Sequence, residues 1–171
     1  MYNMGAAASI NKFDLDIISK QLGREPQGLR RVATRCVFGC PEVIEAKPFS
    51  EDGKPFPTLY WLTCPAKVKA VSRLEDKGWS DRLRKLLAAD ELFYKRFYAA
   101  QQDYISRRRM GSENSDHPIF ETGIGGVREL EAVKCLHAHY AHYLATGINP
   151  IGEVINREIA GIECKERCNT K

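Results

Sequence analysis

Long apolar runs are missing from this sequence. No window approaches the ~18 consecutive apolar residues that a membrane-spanning helix needs. The opening MYNMGAAASINKF lacks the basic n-region and extended apolar h-region of a secretory signal. Gly5 does not follow the initiator Met, so the N-myristoylation pattern fails too. A cytoplasmic protein with no membrane association is expected. Charge of one sign is also scarce: the formal net charge is +4, with 28% of residues charged. The basic clusters Arg30-Arg31 and Arg107-Arg108-Arg109 have acidic neighbours and read as solvated helix ends, so nucleic acid is not the expected partner. With 43% hydrophobic residues in 171, a single globular domain with a proper core is expected.

Several catalytic signatures are absent as well. A cysteine phosphatase needs an arginine six positions after its nucleophile, and the corresponding positions hold Glu42, Ala70 and Ala141. A radical-forming cluster motif needs a further cysteine after Cys40, where Val43 stands. No Lys-Ser/Thr follows the last glycine of the Gly123–Gly126 stretch, which excludes a Walker loop.

What is present is cysteine: Cys36, Cys40, Cys64, Cys135, Cys164 and Cys168. In a reducing compartment thiols serve metals, catalysis or packing rather than disulfides. FDLDIISKQLG reads as an amphipathic helix ended by Gly23. GLRRVATRCVF and PEVIEAKPF read as two strands around the turn FGCP, and TLYWLTC as a third. After Cys64 the pattern is helical: a helix from Pro65 to Gly78, then one long or two abutting helices from Ser80 to Arg109. RELEAVKCLHAHYAHYLATG and PIGEVINREIAGIE follow as two more. The fold class expected is α+β, a small antiparallel sheet of about three strands in the N-terminal third, packed against a helical majority. Residues 1–12 are expected to be disordered, 13–162 to form the domain and 163–171 a tail.

Cys64 sits where a strand hands over to a helix. Bare backbone N–H groups and the positive end of the helix dipole there favour thiolate over thiol. Cys36 and Cys40 flank the FGCP turn at a spacing open to metal ligation. On a continuous helix Cys135, His139 and His142 share one face, while His137 lies on the opposite, core-facing stripe. No role is assigned to Cys164 and Cys168. Gly123, Gly125 and Gly126 stand before the helix bearing Cys135, where loop N–H groups and Arg128 form a candidate cradle for a small anionic ligand.

RCVFGCPEVI, DGKPFPTLYWLTCP, AVSRLE and GIGG…VKCLHAHYAHYLATGINPIG together resemble a bacterial family known as domain of unknown function 501. The resemblance covers roughly residues 13 to 156 and brings no activity with it. Its recurring pattern matches Cys36, Gly39, Pro41, Cys64, Pro65, Cys135, His137, His142 and Asn149-Pro150. This implies one site built from Cys36, Cys64 and Cys135, completed by His137.

The function expected is metal binding at that Cys/His site, with zinc or an iron–sulfur cluster as cofactor and possible chemistry on a small anionic substrate. A metal-free thiol enzyme is the alternative, with Cys64 as nucleophile or redox group and His137 or His142 as base. A third alternative is a non-catalytic module docking a protein partner through Phe93, Phe97 and Tyr104.

Overall fold

The computed structural model describes residues 10–110, 112 and 116–168. The first helix, α1 (Lys12–Leu22), is capped by Asn11, whose side chain accepts from Asp14 N–H, and ends on left-handed Gly23. The expected disordered stretch 1–12 lies outside the described residues up to position 9; Asn11 and Lys12 already belong to the cap and first turn of α1.

Strands β1 (Leu29–Arg35), β2 (Pro41–Ala46) and β3 (Tyr60–Leu62) form one antiparallel sheet in the order β1-β2-β3. The β1–β2 turn closes on Cys36 N–H to the Cys40 carbonyl (3.0 Å) and Gly39 N–H to the Cys36 carbonyl (2.8 Å). Gly39 has φ +75°, a conformation costly for any residue with a Cβ. β2 is buried along its whole length. It includes Glu42 and Glu45, and cations neutralise both: Lys67 pairs with Glu42, and Arg30 and Arg31 pair with Glu45. The Arg30-Arg31 cluster therefore belongs to the sheet's ion pairs rather than to a solvated end.

Helix α2 (Pro65–Asp76) follows directly from Cys64, with proline in the first turn where its missing N–H costs nothing. The expected long helical region divides at Asp90 into α3 (Trp79–Ala89) and α4 (Glu91–Arg109), because the Asp90 carboxylate accepts from Phe93 N–H (2.9 Å) and starts a new helix. The α4 stripe Phe93, Phe97 and Tyr104 is buried in the domain's own core, so it offers no docking face.

Arg108 is also buried, at 1% exposure, which corrects its expected place on a solvated helix end. Its guanidinium donates to the carbonyls of Ile119 (2.7 Å), Thr122 (2.8 Å) and Pro57. It also lies 4.8 Å from the Tyr104 ring centroid. Two loops are thus tied to the end of α4.

The last two helices, α5 (Leu136–Thr146) and α6 (Pro150–Glu158), pack closely. Gly152 permits this: a Cβ there would stand 2.2 Å from Tyr143 Cβ and 2.7 Å from the His139 carbonyl oxygen. The helix expected from Arg128 starts only at Leu136. Gln101 Nε2 claims the Leu130 carbonyl (3.0 Å), an acceptor that a helix would have paired with Lys134. No helix among the described residues is long and apolar enough to cross a membrane.

Candidate metal centre

The late start of α5 decides which side chains meet. Cys135 is its N-cap, in extended conformation, instead of a mid-helix residue. The faces fall opposite to expectation: His139 and His142 are fully buried, and His137 is the half-exposed member. His137 reaches α2, where its Nε2 lies 3.1 Å from the Val68 carbonyl and 3.2 Å from Ser72 Oγ. A carbonyl only accepts, so Nε2 carries the hydrogen and Nδ1 of the neutral ring keeps its lone pair.

Nδ1 faces Glu75, whose Oε2 is 3.4 Å away. The other carboxylate oxygen, Oε1, accepts the first N–H of α5, from Leu136 (2.8 Å). Cys135 completes the group: the ligand atoms of Glu75, Cys135 and His137 all lie within 4.8 Å of one another. Among the described residues no other set of three His, Cys, Asp or Glu side chains meets this condition. The hydrogen bond with Cys135 raises the His137 pKa from its usual value against burial, and the Val68 carbonyl and Glu75 carboxylate add to the rise.

Cys135 and His137 line a cavity of about 450 Å³ whose other walls include Thr58, Trp61, Leu62 and Val68. Gly125 lies on the same wall, with φ +76°; a Cβ on it would sit 3.5 Å from Cys135 Cβ.

Cys36 and Cys64 lie elsewhere. They line a cavity of about 190 Å³ with Arg35, Glu42, Lys67 and Cys164, and no histidine is among its described walls. The quartet Cys36, Cys64, Cys135 and His137 therefore does not close around one tetrahedral ion; Cys135 and His137 meet Glu75 instead. The Cys64 sulfur caps no helix N–H. It lies 3.9 Å from Cys164 Sγ, a residue to which the sequence assigned no role.

The glycine loop is stitched to its surroundings rather than presented as a cradle. Gly123 N–H donates to Val127 (2.8 Å), Ile124 N–H to Gln101 Oε1 (2.7 Å) and Gly126 N–H to Gly123 (3.0 Å). Arg128 is exposed, and no α-helix begins at this loop.

His142 and His139 belong to a buried polar network. Asn149 Oδ1 accepts from Gly152 N–H (3.0 Å), capping α6, so its amide nitrogen donates to both rings, at 3.1 Å to His139 Nδ1 and 3.3 Å to His142 Nδ1. Both rings then carry hydrogen on Nε2. His142 donates its own to Asp103 Oδ2 (3.0 Å), which Arg107 also contacts (2.6 Å), whereas His139 Nε2 is buried without a partner among the described residues. Burial pushes the His139 pKa down to about 3, and lowers that of His142 despite Asp103. These are neutral core histidines.

The fold is thus an α+β domain, with a three-thiol cavity at one end of the sheet and a Glu/Cys/His group between α2 and α5. Residues 32–157 match the family described as a protein of unknown function (DUF501), and the chain belongs to that family. No curated protein and no solved structure matches it.

Proposed function

We propose that the protein binds one transition-metal ion, zinc by its donor set, through Glu75, Cys135 and His137. The observation carrying this reading is the mutual approach, within 4.8 Å, of a carboxylate, a thiol and an imidazole from two helices. Their supports are those of a ligand set. His137 donates its far N–H to a backbone carbonyl, which fixes the tautomer that presents Nδ1, and Glu75 is aimed by the Leu136 N–H. One thiolate among mixed donors suits mononuclear zinc, whereas iron–sulfur clusters are held mainly by cysteines.

Three protein ligands leave a fourth tetrahedral position, the arrangement of catalytic rather than structural zinc. The neighbouring cavity of about 450 Å³ gives that position room for water or a small anionic ligand bound directly to the metal. An anion would be recognised there, not at the glycine loop. A reducing cytoplasm, in which the thiols stay free, is the setting this reading requires.

Cobalt substitution tests it. Cobalt(II) bound by wild-type protein is expected to give a thiolate-to-metal charge-transfer band that Cys135→Ser removes and Cys36→Ser leaves intact. A band that survives Cys135→Ser would refute the ligand set.

A further inference from the structure

A second cluster of reactive groups lies apart from the Glu75 centre. We propose that Cys64 and Cys164 are a redox-active thiol pair, which a peroxide oxidises to a disulfide that fastens the C-terminal segment against the start of α2.

Their sulfurs are 3.9 Å apart although 100 residues separate them in the chain. A disulfide requires about 2.05 Å, so one side must move by roughly 2 Å. The partner outside regular structure is Cys164. It follows α6 in a stretch without helix or strand, tied down by side-chain contacts such as Arg167 over the Phe13 ring (4.5 Å) and Gln21 Nε2 to Cys168 Sγ (3.7 Å). Cys64 is fixed between β3 and α2, where its N–H donates to the Glu42 carbonyl (3.3 Å). The cavity of about 190 Å³ beside both thiols admits a small oxidant; Arg35 and Lys67 in its wall are paired with Asp14 and Glu42.

The two thiols differ in role. Cys64, held at the junction of β3 and α2, is the attacking sulfur, and Cys164, in the irregular stretch after α6, is the one that closes the bond; burial, reinforced by the charge and hydrogen bond of Cys64, raises the Cys164 pKa to about 11. The Cys64 thiolate takes one oxygen from hydrogen peroxide as the O–O bond breaks, giving sulfenic acid and, after protonation of the leaving hydroxide, water. Cys164 sulfur then displaces the sulfenic hydroxyl, which leaves as a second water with the Cys164 proton. Two thiols are oxidised by two electrons and one peroxide is reduced.

The test is non-reducing peptide mapping of the full reduced chain after one equivalent of hydrogen peroxide. A Cys64–Cys164 cross-link is expected, formed at least about ten-fold faster than in the urea-unfolded chain, since reactivity follows thiolate character and setting. Cys164→Ser, in the irregular tail, should leave Cys64 as a sulfenic acid that dimedone traps. Cys36→Ser should still cross-link, as should Glu75→Gln. A Cys36–Cys64 link in its place, oxidation no faster than in the unfolded chain, or a metal ion held by these thiols in Glu75→Gln protein would each overturn the proposal.

Discussion

Glu75 Oε2 lies 3.4 Å from His137 Nδ1, while the opposite nitrogen of that ring is held by the Val68 carbonyl at 3.1 Å. One side of the imidazole is therefore committed to the fold and the other to Glu75 and Cys135. The predictions below follow from that division of labour and from the polar core beneath it.

Ser72 supports the committed side. Its hydroxyl donates to the Val68 carbonyl (3.0 Å) and lies 3.2 Å from His137 Nε2. Ser72→Ala should weaken zinc binding by about ten-fold, the lower end of what outer-shell partners contribute, with little change in unfolding midpoint. Competition against a chromophoric chelator measures it; an unchanged affinity would show that Ser72 does not position His137.

Asn149 performs two tasks with one side chain, capping α6 and satisfying both buried imidazoles. Asn149→Ala removes a cap, costing about 1 kcal/mol, and strands two buried ring nitrogens, so a total loss near 3 kcal/mol is expected in urea unfolding. A loss below about 1 kcal/mol, the value of the cap alone, would mean that the rings do not depend on the amide.

Gly152 tests the α5–α6 approach. Alanine normally gains about 1 kcal/mol over glycine inside a helix. Here its Cβ would fall 2.2 Å from Tyr143 Cβ, so Gly152→Ala should destabilise by about 2 kcal/mol despite that gain. Thermal or urea unfolding decides the sign.

His142 sets an acid limit on stability. The groups facing it are Asp103, Arg107, His139, Tyr60 and Tyr104. Its folded pKa lies below the usual 6.5, chiefly through burial, so below that pH the unfolded chain binds the extra proton more readily. Stability should be unaffected by this group above about pH 6.5 and fall as the solution is acidified through that value. His142→Gln keeps a donor for Asp103 but cannot titrate, and should flatten part of the decline in urea midpoint between about pH 7 and pH 5.5. An equally steep decline in that variant would place the acid sensitivity elsewhere.

The sheet and most helix boundaries were legible because they rest on local signals: the FGCP turn, Pro65, Gly78 and Gly147. The start of α5 was not: the stretch before it is held by groups far away in sequence, Gln101 on the Leu130 carbonyl and Glu75 on the Leu136 N–H. Leu130 and Val133, which defined the expected core stripe, lie outside α5, whose His139 and His142 face inward while His137 meets α2. Cys135 and His137 were legible as candidate ligands by residue type, but Glu75, which stands beside them, looked like any charged residue on an amphipathic helix. Cys164 was passed over because no local pattern connects a tail cysteine with one a hundred residues earlier. The buried Arg108 was equally hidden, as its partners are carbonyls on two separate loops.

Metal stoichiometry across a small set of variants tests the Glu75–Cys135–His137 centre most directly. Protein stripped with chelator, reloaded with zinc, desalted and measured by plasma mass spectrometry should hold one zinc per chain. Glu75→Gln, Cys135→Ser and His137→Ala should each lose it while remaining folded, and Cys36→Ser and Cys64→Ser should retain it. Retention in Cys135→Ser together with loss in Cys64→Ser would contradict the centre and return the metal to the other end of the sheet.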